Sequence, residues 1–332
     1  MVLNKKSILF LAMLMELVCF SVRGQQTGQL SICSKLDFSD LDWPNNLSPT
    51  ERDPFALALN ISGSFEGEDG WQNLTNNFDG QGLSLGLLNQ CLGQGSLQPL
   101  LIEMRDKYTG EMEMEFSVAN FESLLNMLKQ WQAAVNTTDE RIDLADYGLS
   151  RLDDADKIEA ITGFSPDKNF RAELTGKNQN SVDWAARTLY NKAAFKPDWA
   201  TQLTRLSASQ GYRSIQVNAA LKLHTATMTL FKTFGLKLYR SYLFLFDIEV
   251  QNGGIPAEAM MNIENTFKAN PQWNEVQKLD AILAERLKYV KKQYVRDVRE
   301  RKESIINGTG TVHSIKRNYS KEFCTDLNHA MP

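Results

Sequence analysis

Apolar and polar positions follow a helical period over most of the chain. Asp53-Pro54 reads as an N-cap followed by a first-turn proline. Phe55, Ala58, Leu59, Ser62 and Phe65 follow at helical spacing, which predicts a helix ending near Phe65 or Glu66. Residues 67–95 are dense in Gly and Asn. Their short alternating runs predict a hairpin or small irregular sheet. Helical patterns resume over 97–107 and 121–135, then over 183–194 and 198–207. Residues 215–234 are richer in apolar side chains. Residues 239–250, with Phe244, Leu245, Phe246 and Ile248, are apolar on nearly every side, the mark of a buried helix. Asn252-Gly253-Gly254 gives that helix its stop. Residues 274–301 read as one charged helix with Leu279, Ile282, Leu283, Leu287 and Val290 as its inner stripe. The pattern predicts an α+β, mainly α fold with a single small β element near the front, where chemistry is to be sought.

The first residues follow another logic. Lys5 and Lys6 precede an apolar run from Ile8 to Val22, and Val22-Arg23-Gly24 ends it with a small residue. This is the order of a cleavable signal peptide, residues 1–24, although Glu16 and Arg23 depart from the usual composition. The run falls short of the roughly 20 apolar residues of a spanning helix, so no stable membrane insertion is expected after cleavage. Residues 25–52 read as an irregular lead-in. A secreted or periplasmic chain meets an oxidising compartment, where two of Cys33, Cys91 and Cys324 are expected to pair. Chain termini often lie close together, which favours Cys33–Cys324; Cys33–Cys91 stays open. Asn-x-Ser/Thr sequons begin at Asn46, Asn60, Asn73, Asn136, Asn307 and Asn318. Two of them fall within the stretch proposed below for chemistry, which points to a bacterial source where sequons carry no glycan.

Composition narrows the function classes. An apolar fraction of 42% supplies a sizeable core, and a net charge of −4 argues against a nucleic-acid partner. Three His and four Cys form neither HExxH nor CxxC, so no metal or other cofactor is expected. Carboxylates are the remaining source of chemistry. Ser64-Phe65-Glu66-Gly67 sets a carboxyl group at a helix end, with an apolar body behind it that suits a raised pKa. Farther on, Asp79 lies among glycines and amides in Phe78-Asp79-Gly80-Gln81-Gly82-Leu83-Ser84-Leu85-Gly86, a setting that suits an ionised carboxylate. A glycosidic bond needs this division of labour: one carboxyl group protonates the leaving oxygen while the other activates water or stabilises the oxocarbenium ion. The same residues also read as a helix end followed by an ordinary hairpin turn.

A helix ending in Glu and then Asp79-Gly80-Gln81-Gly82-Leu83-Ser84-Leu85-Gly86 resembles the lysozyme superfamily, and most closely the family 46 chitosanases with their Asp-Gly-Arg-Gly-Ile-Thr-x-Gly hairpin. The run Leu92-Gly93-Gln94-Gly95-Ser96-Leu97-Gln98-Pro99-Leu100-Leu101 resembles chitosanase-like bacterial proteins acting on cell-wall glycan. Leu245 to Gly254 is similar to a chitosanase helix, with Asn252 where His is expected and Gln81 in place of the hairpin Arg.

The resemblance implies a single two-lobed lysozyme-like catalytic domain over 53–332, acting as a monomer on a polysaccharide, peptidoglycan first and chitosan second. It implies Glu66 as general acid and Asp79 as the base that positions water, with inversion. Ser84 aligns with the hairpin Thr and would bond the attacking water or simply brace the hairpin. Asp247 interrupts an apolar helix and must be paired or hydrogen-bonded; Arg299 or Arg301 is the expected partner, behind the acid, with capping of a neighbouring backbone group as the alternative. Trp71 is a candidate for stacking on a sugar ring, with a core role as the alternative; Gln81, Gln94 and Asn89 are candidates for substrate hydroxyls, with a purely structural role in the loop as the alternative for Gln94 and Asn89. Glu68 and Asp69 rank as solvent or subsite residues, and His313 as structural. A non-catalytic glycan-binding protein on the same scaffold is the competing class.

Overall fold

The computed structural model describes residues 30–136 and 168–332. The expected signal segment, residues 1–24, and part of the Asn136 sequon lie outside them. Residues Ile32–Pro332 pack as one unit. Helix α1 spans Pro49–Glu66, so it begins before the expected Asp53, and Pro54 sits inside it. Ser48-Pro49-Thr50-Glu51 is the reason. The Glu51 carboxylate accepts the Ser48 N–H at 3.0 Å, and Pro49 takes the first turn. Pro54 forfeits only a bond to the Thr50 carbonyl, close to the helix start. Phe55, Leu57, Leu59 and Ile61 are all buried, so α1 is enclosed nearly all round.

The Gly/Asn-rich stretch folds as a three-stranded antiparallel sheet of Leu74–Thr75 (β1), Ser84–Leu85 (β2) and Gln90–Cys91 (β3). Thr75 stands opposite Ser84, and Ser84 opposite Cys91. Helices follow at Gln98–Lys107 (α2), Thr109–Glu115 (α3), Val118–Asn136 (α4) and Lys168–Thr188 (α5). The helix expected over 183–194 stops at Thr188. Tyr190–Asn191 (β4) pairs with Ala194–Phe195 (β5), and Lys192 makes the turn at φ 59°. Pro197–Ala208 (α6) and Gln210–Thr233 (α7) agree with the apolar pattern. Leu85, Leu97, Leu101, Leu128 and Leu203 belong to one buried cluster joining the sheet to α2, α4 and α6.

Helix α8, Tyr239–Asn252, is the buried helix foreseen: Ser241 through Val250 are enclosed without exception, and Gly253 ends it at φ 64°. After Ala257–Ala269 (α9), the single helix expected over 274–301 is two, Glu275–Leu287 (α10) and Val295–Asn307 (α11), joined through a 3-10 turn at Lys292–Tyr294. No Gly or Pro marks this break. The buried Arg286 donates to the carbonyls of Gly254 and Asn252 at 3.0 and 3.2 Å, fastening the end of α10 to the loop after α8. Tertiary bonding overrides a continuous helical pattern here. Helix α8 packs against α1, α7 and α11.

The chain closes with a hairpin of Thr309–Val312 (β6) and Ile315–Asn318 (β7) and a short helix, Tyr319–Phe323 (α12). The described residues therefore hold three small sheets where one was expected. From residue 30 to Ser48 the described part of the lead-in lacks regular structure but is packed: Phe38, Leu41 and Leu47 are buried, and the Cys33 N–H donates to the Phe323 carbonyl at 3.0 Å. Cys33 is disulfide-bonded to Cys324, and Cys91 is a buried thiol outside that bridge. Among the described residues no helix is long and apolar enough to cross a membrane.

Candidate active site

Glu66 is the last residue of α1, and the chain leaves it through an extended Gly67 at φ 172°. A Cβ on Gly67 would stand 2.4 Å from Asn73 Oδ1, so the loop can fold this close to the helix end only with glycine there. Asn73 Oδ1 also accepts the Asp69 N–H at 2.9 Å, which holds the loop in place. Asp79 closes a 3-10 turn, Asn77–Asp79, between β1 and β2. Its Oδ1 accepts the Gln81 N–H at 3.1 Å, and Asn77 Oδ1 accepts the Gly82 N–H at 2.6 Å. Gly80 and Gly82 take φ of 81° and 79°, conformations that favour glycine. Beneath the turn, the Tyr190 hydroxyl donates to the Gly82 carbonyl at 2.5 Å.

Glu66 and Asp79 thus come from different elements and line one cleft of about 500 Å³, open mouth included. Gln81, Ser84 and Gln94 line it too, as do Asn89, Cys91, Thr75 and, from the end of α8, Val250 and Gln251. Ser84 is buried in its floor, and Cys91 Sγ donates to Gln81 Oε1 at 3.4 Å. The cleft draws in most of the residues expected of it, with instructive exceptions.

Trp71 is not among its walls. It is buried, its Nε1–H donates to the Asp37 carbonyl at 3.0 Å, and its ring meets Phe38 edge-on at 5.4 Å, so its role is in the core. Phe78, which the sequence reading passed over, lines the cleft instead. Glu68 and Asp69 are exposed. His313 has a partner: its Nε2 lies 2.6 Å from Asp297 Oδ1.

Behind Glu66 lies a buried ionic set. Arg301 on α11 is 2% exposed; its Nη2 and Nε donate to Asp247 at 2.6 and 3.3 Å, while Nη1 donates to Glu66 Oε1 at 2.9 Å. The neighbourhood of Glu66 is therefore ionic as well as apolar. The Phe65 ring lies 4.6 Å from the Arg301 guanidinium that is stacked over it. Arg299, the other expected partner of Asp247, points outward to Glu303 at 3.4 Å and is half exposed. The Lys302 ammonium supplies the second cation, bonding the Asp247 carboxylate, its carbonyl at 3.0 Å and Gln251 Oε1 at 2.8 Å. Gln251 Nε2 donates in turn to Asp297 at 2.6 Å, so both ends of this cleft-lining amide are held.

Burial opposes charge throughout this set, and the mutual attraction of its members outweighs burial at Asp247 and Arg301 but not at Lys302. It favours protonation of Asp247, yet Arg301 and Lys302 hold that carboxyl group well below the usual range. Burial works against the Arg301 charge as well, but Asp247 and Glu66 hold its value above the ordinary one. For Lys302 burial wins, pulling the ammonium down to about 8 despite Asp247. The arrangement fixes one carboxyl group by a guanidinium that also bonds Asp247, and sets a second, that of Asp79, in the lining of the same cleft. Among the described residues, no three His, Cys, Asp or Glu side chains gather as metal ligands would. No family model matches this chain, and no curated protein does either.

Proposed function

We propose that the chain is a secreted bacterial glycoside hydrolase of lysozyme-like, two-lobed architecture, cleaving β-1,4 linkages of an amino-sugar polymer with inversion. Peptidoglycan is the first substrate and chitosan the second. One observation carries the reading: Glu66 and Asp79 line the same cleft although they arise from a helix end and a hairpin turn. Glu66, oriented by Arg301 through Oε1, donates a proton from its other oxygen to the leaving glycosidic oxygen. Asp79 accepts a proton from the water that attacks the opposite face of the sugar. Ser84, which lines the cleft, bonds that water in this reading, and Asp247 orients the acid through Arg301.

Replacing Glu66 with Gln keeps the side chain's size and removes the transferable proton. Digestion of purified cell-wall glycan and of chitosan is expected to fall about 100- to 10,000-fold. Undiminished cleavage by that variant would overturn the assignment. Binding by the parent protein without turnover, indifferent to Asp79→Asn, would mark a non-catalytic glycan-binding protein instead. Proton spectra of fresh product are expected to carry the inverted anomer.

A further inference from the structure

Phe78 is the largest apolar side chain of the cleft and is 80% exposed. Lone apolar residues on a surface are common and need no explanation. Phe78 differs in its setting. It is the residue before Asp79, in a cleft lined mostly by polar side chains, with Leu88, Cys91 and Val250 as the other apolar ones. The turn that presents it is held from several sides. Besides the bonds made by Asn77 and Asp79, Asn76 Nδ2 donates to the Ala193 carbonyl at 3.3 Å. Gly82 is seated so closely on α5 that an added Cβ would lie 3.0 Å from Val182 Cα. The ring is thus kept in water on a braced turn, beside the groups proposed to cut the bond.

We infer that Phe78 is a stacking platform for one pyranose ring of a β-1,4-linked amino-sugar chain, placed next to the scissile linkage. This rests on the hydrolase reading above and deepens it. A β-pyranose with equatorial substituents presents axial C–H bonds on its faces and polar groups around its rim. An aromatic face covers the former, and the amides and hydroxyls lining the rest of the cleft take the latter, the mixture expected of a small-molecule site. A ring already fixed in place loses little entropy on binding. The interaction is made with substrate and transition state alike, so it acts on KM rather than on kcat.

The test uses Glu66→Gln protein, with and without Phe78→Ala, Phe78→Tyr or Phe78→Trp, and calorimetric titration with β-1,4 tetramers of N-acetylglucosamine, of glucosamine and of soluble peptidoglycan. Phe78→Ala is expected to raise the Kd of at least one tetramer roughly 5- to 20-fold, and both aromatic replacements to restore it. In the otherwise unaltered protein the same change raises KM and leaves kcat within about twofold. Equal affinity of the Phe78→Ala and parent proteins, or failure of all three tetramers to bind the Glu66→Gln protein, overturns the inference. Full turnover by Glu66→Gln instead overturns the hydrolase reading and leaves the affinity comparison to judge Phe78. Because the ring is exposed, the alanine variant is expected to unfold at the parent temperature.

Discussion

Asp247→Asn removes one negative charge and almost no volume from the middle of the buried set. In the parent both Arg301 and Lys302 bond the Asp247 carboxylate; the variant takes that shared counter-charge away. Asp247 accepts from Arg301 at 2.6 and 3.3 Å and from Lys302 at close range. An asparagine can keep one of these oxygen acceptors, but its amide then turns N–H donors toward a cation. Charge-assisted bonds contribute about 1.5–3 kcal/mol each, and breaking a buried pair from one side costs about 3–5 kcal/mol. The expected loss is about 3–5 kcal/mol at pH 7, a large share of a typical domain's stability of about 5–15 kcal/mol.

The sign of its pH dependence follows. Lys302 already sits at about 8 with its carboxylate present, and loss of that carboxylate lowers it further. The unfolded lysine still titrates near its ordinary 10.5. Between the two values the unfolded state binds more protons, so the variant regains stability as pH rises from 7 toward 10. Urea unfolding followed by far-ultraviolet circular dichroism, at pH 7, 8 and 9, measures both effects. A variant within about 1 kcal/mol of the parent at pH 7, with no steeper recovery at alkaline pH, would refute the account of Asp247 as the anchor of this set.

Gly86 takes φ 87°, and a Cβ there would lie 2.3 Å from Gln216 Oε1, which accepts the Leu87 N–H at 2.7 Å. Gly86→Ala is expected to cost about 2–4 kcal/mol in thermal or urea unfolding, from strain and a displaced amide together; a change below about 0.5 kcal/mol would count against it. Burial holds His224 below its usual 6.5, beside the Tyr242 hydroxyl at 2.7 Å. The unfolded imidazole is then protonated first, so this contribution to stability is intact above about pH 6.5 and declines as pH falls. His224→Gln is expected to flatten that decline between pH 6.5 and 5 in urea midpoints, and an unchanged slope would dismiss the histidine as its source.

The buried helix α8 was legible because its apolar residues leave no polar face. The same argument exposed Asp247, since a charge in such a helix has to find a partner. Which arginine answers it was not legible. Arg299 and Arg301 lie two residues apart, on different sides of α11, and the direction each faces depends on a helix break that no Gly or Pro announces. The start of α1 was misread at Asp53-Pro54, because the stronger opening, Ser48-Pro49-Thr50-Glu51, lies in a segment that reads as an irregular lead-in. The aromatics of the Gly-rich loop were not legible either. Trp71 and Phe78 look alike in sequence; contact with Asp37 and Phe38, from a segment that reads as an irregular lead-in, takes the tryptophan inside and leaves the phenylalanine out. Glu66 and Asp79, which line one cleft, were singled out by residue type and motif, while Lys302 and Gln251 carried no local signal, since their contacts exist only once α8 and α11 touch.

The bond between Cys33 and Cys324 makes the chain from one to the other a covalent ring. A ring needs two cuts to fall apart. A single cleavage of any peptide bond between those cysteines opens it into one still-connected strand, and the two pieces cannot diffuse away from each other. Refolding after such a nick stays a first-order event, independent of dilution, for as long as the sulfurs remain oxidised. For a chain proposed to work outside the cell among proteases, survival of a first cut is then governed by the redox state of its surroundings.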